Sequence, residues 1–296
     1  MNQNFNLNSI ALITEFNASV WTARKLDRKV TDDVVHNAGA TAKSAARVNK
    51  NLLAGRSELA IIESHVTTVR QFLYSNTSPW SDTGQRLLPM TRFPVINQRM
   101  EDFKGAFETM VADFVTVYPT LITAQAMALG AMFNRAEFPP ANTIASKFAF
   151  TFDVTPVPAA GDWRVDVGNQ AQDELRERLT TMGNARVEKA MLDLTERFVT
   201  HLRRMADRLV TDRDAKTGDP VGRRFTETLV SGAFDLCDLI KDCNFTGDVG
   251  LTQARLVLEN ALGGVTAVAL REDPIKREEV RGAVSNILGQ FQFASI

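Results

Sequence analysis

A chain of 296 residues, 44% of them hydrophobic, can bury a sizeable core in one large domain or two smaller ones, which excludes extended disorder as its main state. Its 34 Lys and Arg against 35 Asp and Glu leave a net charge of −1, excluding a wholly basic nucleic-acid coat and an acidic DNA mimic but not a local patch. Two cysteines, Cys237 and Cys243, suggest neither a zinc site nor a disulfide framework and fit a reduced, cytoplasmic compartment.

The first residues, M-N-Q-N-F-N-L-N-S-I, are polar and uncharged and lack the profile of a signal peptide. The longest suggestive apolar run, Leu121–Phe133, contains Thr123 and Gln125 and is too short to span a bilayer, so no membrane association is expected. Residues 8–26 are ambiguous: Ile10 to Ile13 suit a short strand, while Ile13, Phe16, Val20 and Trp21 also fit a helical stripe. Thr31, followed by Asp32 and Asp33, predicts a helix running to about Leu53 with a break near Gly39. Ser57 and Glu58 open a better one, in which Leu59, Ile62, Val66, Val69 and Leu73 share a face, ending near Ser75. Asn76 to Pro94 gathers prolines, Gly84 and several Ser/Thr, which predicts an extended connector or structured loop packed down by Trp80, Leu87, Leu88 and Phe93.

From Ile96 to Phe133 the set Met100, Phe103, Phe107, Met110, Phe114 and Val117 alternates steps of three and four, a coiled-coil-like seam that Pro119 should kink or interrupt. Between Lys147 and Gly168 the period switches to two. Phe148, Phe150, Phe152 and Val154 share one face, Trp163, Val165 and Val167 repeat the pattern, and Pro156, Pro158 and Gly161 fill the turn, which reads as a β-hairpin. A second long helix follows over about 170–211, with Gly183-Asn184 as its weak point, and three more cover about Val221–Asp242, Gly250–Leu262 and Pro274–Gln290. Asp273-Pro274 is a start signal and Gly263-Gly264 a stop. The expectation is a mainly α chain: a long antiparallel helical arm carrying an inserted hairpin at about 147–168, and a C-terminal helical bundle. Its regions would be 1–95 (helical), 96–212 (arm) and 213–296 (helical), or one continuous domain.

Chemistry is sparse. His36, His65 and His201 have no metal-ligand spacing, and no phosphate loop, dinucleotide fingerprint or nucleophile elbow occurs. No catalytic, cofactor or metal residues are therefore assigned, and the chain reads as a non-enzyme. Asp153, Asp162 and Asp166 of the hairpin keep a metal-assisted hydrolase open as an alternative. Residues 1–56 hold eight Lys/Arg against four Asp/Glu, a surplus of +4, and within them Trp21, Arg24, Lys25, Arg28 and Lys29 are candidate nucleic-acid contacts, interrupted by Asp27. Phe148, Phe150 and Phe152, with Trp163 and Arg164, either bury against the helical body, favoured about two to one for the Phe trio, or form a partner or oligomer interface.

Two short motifs, Trp21-x-x-Arg24-Lys25-Leu26 and Phe152 with Pro156, Pro158, Gly161, Asp162, Trp163 and Arg164, resemble an uncharacterised family of phage and proteobacterial proteins over about residues 18–170. That resemblance brings no catalytic residues; it implies encoding beside a MoxR-type AAA+ ATPase and a von Willebrand A domain protein. The expected function is accordingly a phage-encoded, homo-oligomeric scaffold or adaptor for an ATPase-driven machine in the host cytoplasm. The alternatives are a single-stranded DNA-binding or recombination accessory and a virion component.

Overall fold

The computed structural model describes residues 7–42, 44–158, 169–213, 220–222 and 225–292. Among them are eight α helices and small antiparallel sheets, so the protein is mainly α. The chain divides into two compact units, neither contiguous in sequence. The first gathers Met1–Glu15, Tyr74–Ile96 and Val154–Ile296; the second gathers Phe16–Leu73 and Asn97–Asp153.

The ambiguous N-terminal stretch is strand: β1 (Ala11–Ser19), then β2 (Arg24–Leu26). Ala11 and Ile13 are buried on alternate positions, so the period of two prevails over the helical spacing. The helix expected from Thr31 begins earlier and stops at the expected break near Gly39, as α1 (Arg28–Asn37), rather than running on to Leu53. Asp27 caps it, accepting from the Val30 N–H at 3.1 Å, and Gly39, at φ +64°, takes the left-handed position just past its end. With no continuous apolar stripe to bury, the following residues return as β3 (Asn49–Asn51), antiparallel to β2 with Lys25 opposite Lys50. Helix α2 (Glu58–Asn76) lies where its spacing predicts and buries all five residues of its stripe.

The extended connector or structured loop expected at 76–94 contains two short strands, β4 (Ser78–Pro79) and β5 (Arg86–Pro89). The four-stranded sheet runs β4-β5-β1-β6, where β6 is Ala149–Pro156, and Ala11 pairs with Pro89 at the end of β5. Pro79 and Pro89 each close a strand, where a missing N–H is tolerated. Strand β6 is the first arm of the predicted hairpin. Gly161, Asp162, Trp163, Arg164, Val165, Asp166 and Val167 lie outside the described residues.

Two long helices follow the spacing, α3 (Phe93–Leu129) and α4 (Asn169–Leu209). Neither Pro119 nor Gly183-Asn184 interrupts them; Pro119 is exposed, where the carbonyl it leaves unbonded can be solvated. After the ribbon of β7 (Thr211–Arg213) and β8 (Pro220–Gly222) come α5 (Glu227–Cys243), α6 (Val249–Leu262), α7 (Ala267–Glu272) and α8 (Pro274–Gln292). In the first unit α4 buries Val187, Ala190, Leu194, Phe198, Leu202, Met205 and Leu209 in one core with α5, α6 and α8. The Asp273 carboxylate caps α8, accepting from the N–H groups of Ile275 and Lys276 at 2.9 and 3.1 Å, as its place before Pro274 predicts.

Candidate functional site

The second unit is built on aromatic contacts between α3 and β6. Phe150 packs on Phe16 and Phe107 at ring separations of 4.8 and 5.6 Å, and Phe148 lies against Phe114 at 5.5 Å. Both are 9% exposed. Both rings thus have intramolecular neighbours, the burial expected because an isolated hairpin is only marginally stable. Phe152 is half-buried and Asp153 exposed, whereas Trp163, Arg164, Asp162 and Asp166 fall outside the described residues.

Trp21 sits with its ring perpendicular to Tyr118 at 5.6 Å and 6.4 Å from Phe114, so it is half-buried packing rather than a free stacking platform. Burial pushes the Tyr118 phenol up to about 12, and its hydroxyl donates to the Pro139 carbonyl at 3.1 Å. Arg24, Lys25, Arg28 and Lys29 are all exposed. Asp27 is not: its side chain is 12% exposed and lies 3.6 Å from the Lys50 Nζ. Lys50 is a buried cation, with Nζ 2.7 Å from Glu137 Oε2 and donating to the Met132 carbonyl at 2.9 Å. The adjacent Glu137 carboxylate, above all, holds the ammonium in its charged form and raises its pKa, which makes Lys50 a structural crosslink rather than a nucleophile.

An open apolar groove of about 440 Å³ runs along α3, lined by Val111, Ala112 and Val115 and faced by Ala145, Phe148 and Ala149. From Phe114 to Asn134 no residue is charged. The core side of this stretch buries Phe114, Tyr118, Leu121, Ile122 and Gln125, but its back, with Thr116, Val117, Thr120, Thr123 and Met127, is exposed, Met127 to 91%. Continuous with the residues that follow, Phe93–Met132 forms one helical stretch long and apolar enough to cross a membrane by length and composition, with 28% of its apolar window buried. The run Leu121–Phe133, too short to span when taken alone, lies almost wholly within this longer helical stretch, and a core helix of a soluble protein meets the same length and composition.

In the first unit a cleft between α4 and its neighbours carries Asp193, Arg197, Thr200, His201 and Arg204. Arg197 pairs with Asp193 at 2.8 Å and donates to the Tyr74 carbonyl at 2.7 Å. The His201 Nε2 is 2.9 Å from the Leu229 carbonyl, and a Cβ on Gly232 would come within 3.0 Å of the ring, so Gly232 provides its berth. Burial lowers the His201 pKa below 6.5; the bond to Leu229 opposes that shift, Arg204 adds to it and Asp235 of α5 opposes it. The fold therefore favours the neutral ring. As pH falls below about 6.5 the unfolded chain takes its proton first and stability drops, until the lower folded pKa is passed. His201→Gln is expected to remove that slope, read as urea midpoints at pH 7.5 and 5.5.

His36 is exposed, and His65 bonds the Phe103 carbonyl at 2.9 Å. Burial pushes both thiols, Cys237 and Cys243, up to about 12, a setting for inert side chains. Among the described residues no three of His, Cys, Asp and Glu gather as a metal site. Sequence reading missed Lys50 and Glu137, whose pairing bridges distant segments, and the groove along α3, whose only trace is the uncharged run after Asp113. No known family profile, curated protein or solved structure matches the chain.

Proposed function

We propose that this is a non-enzymatic interaction protein that self-associates through the uncharged back of α3. The observation that carries this reading is the charge-free stretch Phe114–Asn134, which leaves Val117 and Met127 in water with neighbouring small and threonine side chains. A helix back without charge is a poor solvent face and a good helix-packing face. The resemblance of the Trp21 and Phe152–Arg164 motifs adds a second layer: the assembled protein would serve as scaffold or adaptor to a MoxR-type ATPase and a von Willebrand A domain protein.

The test is light scattering after size exclusion, on wild type and on Val117→Glu/Met127→Glu. The wild type is expected to run as an oligomer and the double variant as a monomer with an unchanged melting temperature, since both side chains are exposed. A wild type that is strictly monomeric at high concentration overturns the reading. So does partition of the wild type into lipid vesicles that the double variant loses, because the same face would then be serving a bilayer.

A further inference from the structure

Four of the six residues from Arg24 to Lys29 are cations, all exposed. In sequence Asp27 breaks the run. In the fold it does not, because its carboxylate is turned inward to cap α1 at the Val30 N–H and to face Lys50. What remains on the surface is an uninterrupted cationic corner where β2 passes into α1. Asp32 and Asp33, one turn along α1, are exposed as well, and among the described residues neither is ion-paired with Arg28 or Lys29.

The placement of these charges is informative. Arg28 and Lys29 open α1, the end of a helix where the backbone dipole disfavours cations. Such residues do not serve the helix. Across the ribbon, Asn51 stands opposite Arg24 and Asn49 opposite Leu26, both amides exposed, and exposed Arg47 precedes β3. The corner thus offers cations and neutral hydrogen-bond donors in one place, the chemistry that contacts phosphate oxygens. It offers no free aromatic ring, since Trp21 is packed against Tyr118. Single-strand binders rely on base stacking as well as charge, so the missing platform favours backbone contact with the denser phosphate array of a duplex.

We propose that the β2–α1 corner binds the phosphate backbone of double-stranded nucleic acid without reading base sequence. It uses none of the residues proposed for self-association, so the two readings are tested by different variants. The full-length protein is titrated against a labelled short DNA duplex, a second duplex of unrelated sequence, and the matching single strand, at several salt concentrations.

Both duplexes are expected to bind equally, more tightly than the single strand, and the logarithm of affinity should fall against the logarithm of salt with a slope of about −3 to −4 for four phosphates. Arg24→Ser/Lys25→Ser/Arg28→Ser/Lys29→Ser should weaken binding at least about tenfold at low salt and flatten that slope. Its melting temperature should hold or rise, because two cations leave a helix N-terminus. If the fourfold variant fails to fold, the pairs Arg24→Ser/Lys25→Ser and Arg28→Ser/Lys29→Ser are read separately, each expected to reduce the slope. No duplex binding at low salt overturns the proposal, as does preference for the single strand, full binding by the variants, or binding to anionic lipid vesicles alone.

Discussion

Phe150→Ser is expected to lower the stability of the second unit by about 3–5 kcal/mol, while Phe152→Ser, two residues along the same strand, costs about 1 kcal/mol or less. The difference follows from their neighbours. Phe150 is 9% exposed and touches Phe16 from β1 and Phe107 from α3, so removing its ring opens a cavity bounded by two other rings, and the serine hydroxyl enters an apolar site. Phe152 is half-buried at the margin of that cluster, where water already reaches. Because the chain has two compact units, a single transition cannot be assumed. Urea unfolding is therefore best followed by Trp21, in a background with Trp80 and Trp163 changed to Phe, since Trp21 belongs to the affected unit. The opposite result, an unchanged midpoint with lost self-association, would return Phe150 to a partner-facing role.

The same strand shows how far the sequence could be read. Alternation over Phe148–Val154 announces a strand with one apolar face, because the period of two is local. The stripes of α2 and α4 are legible for the same reason, and Asp273-Pro274 marks the start of α8 from side-chain chemistry alone. Strands β4 and β5 are not legible: they are two and four residues long, bounded by Pro79 and Pro89, and while β4 pairs with its neighbour β5, β5 is held in the sheet by β1, more than sixty residues away. Helix α1 is legible only in part: Thr31 and the break near Gly39 place its body and its end, but not its start at Arg28. Its cap, Asp27, reads in sequence as an acid breaking a basic cluster, and only the fold shows that its carboxylate is used internally.

Lys50 is the furthest case of information that no local pattern carries, and removing it is the second large effect expected. Lys50→Met should cost roughly 2–3 kcal/mol at pH 7, because it leaves Asp27 and Glu137 beside each other without a cation. The loss lies at the low end for broken buried pairs: the Glu137 side chain is 20% exposed, against 6% for Lys50, so water screens part of the orphaned charge. Changing both partners, Lys50→Met/Glu137→Leu, should recover part of the loss, since an apolar pair of similar bulk needs no charge compensation.

The pH dependence separates this account from simple loss of packing. The folded Lys50 pKa is raised above 10.5, first by the adjacent Glu137 carboxylate, so its contribution is complete below about 10.5 and disappears as pH rises through the folded value. The wild-type advantage over Lys50→Met should therefore hold up to about pH 10.5 and shrink above it, with other titrating groups common to both proteins. Asp27 behaves in the opposite sense. Its pKa is lowered below 3.8 mainly by the Val30 N–H, so its contribution is present above about 3.8, fades as pH falls through the lowered value, and largely survives in Lys50→Met. A variant that lost its acid-side stability together with its alkaline slope would instead mean that Lys50, not the α1 cap, holds Asp27 in place.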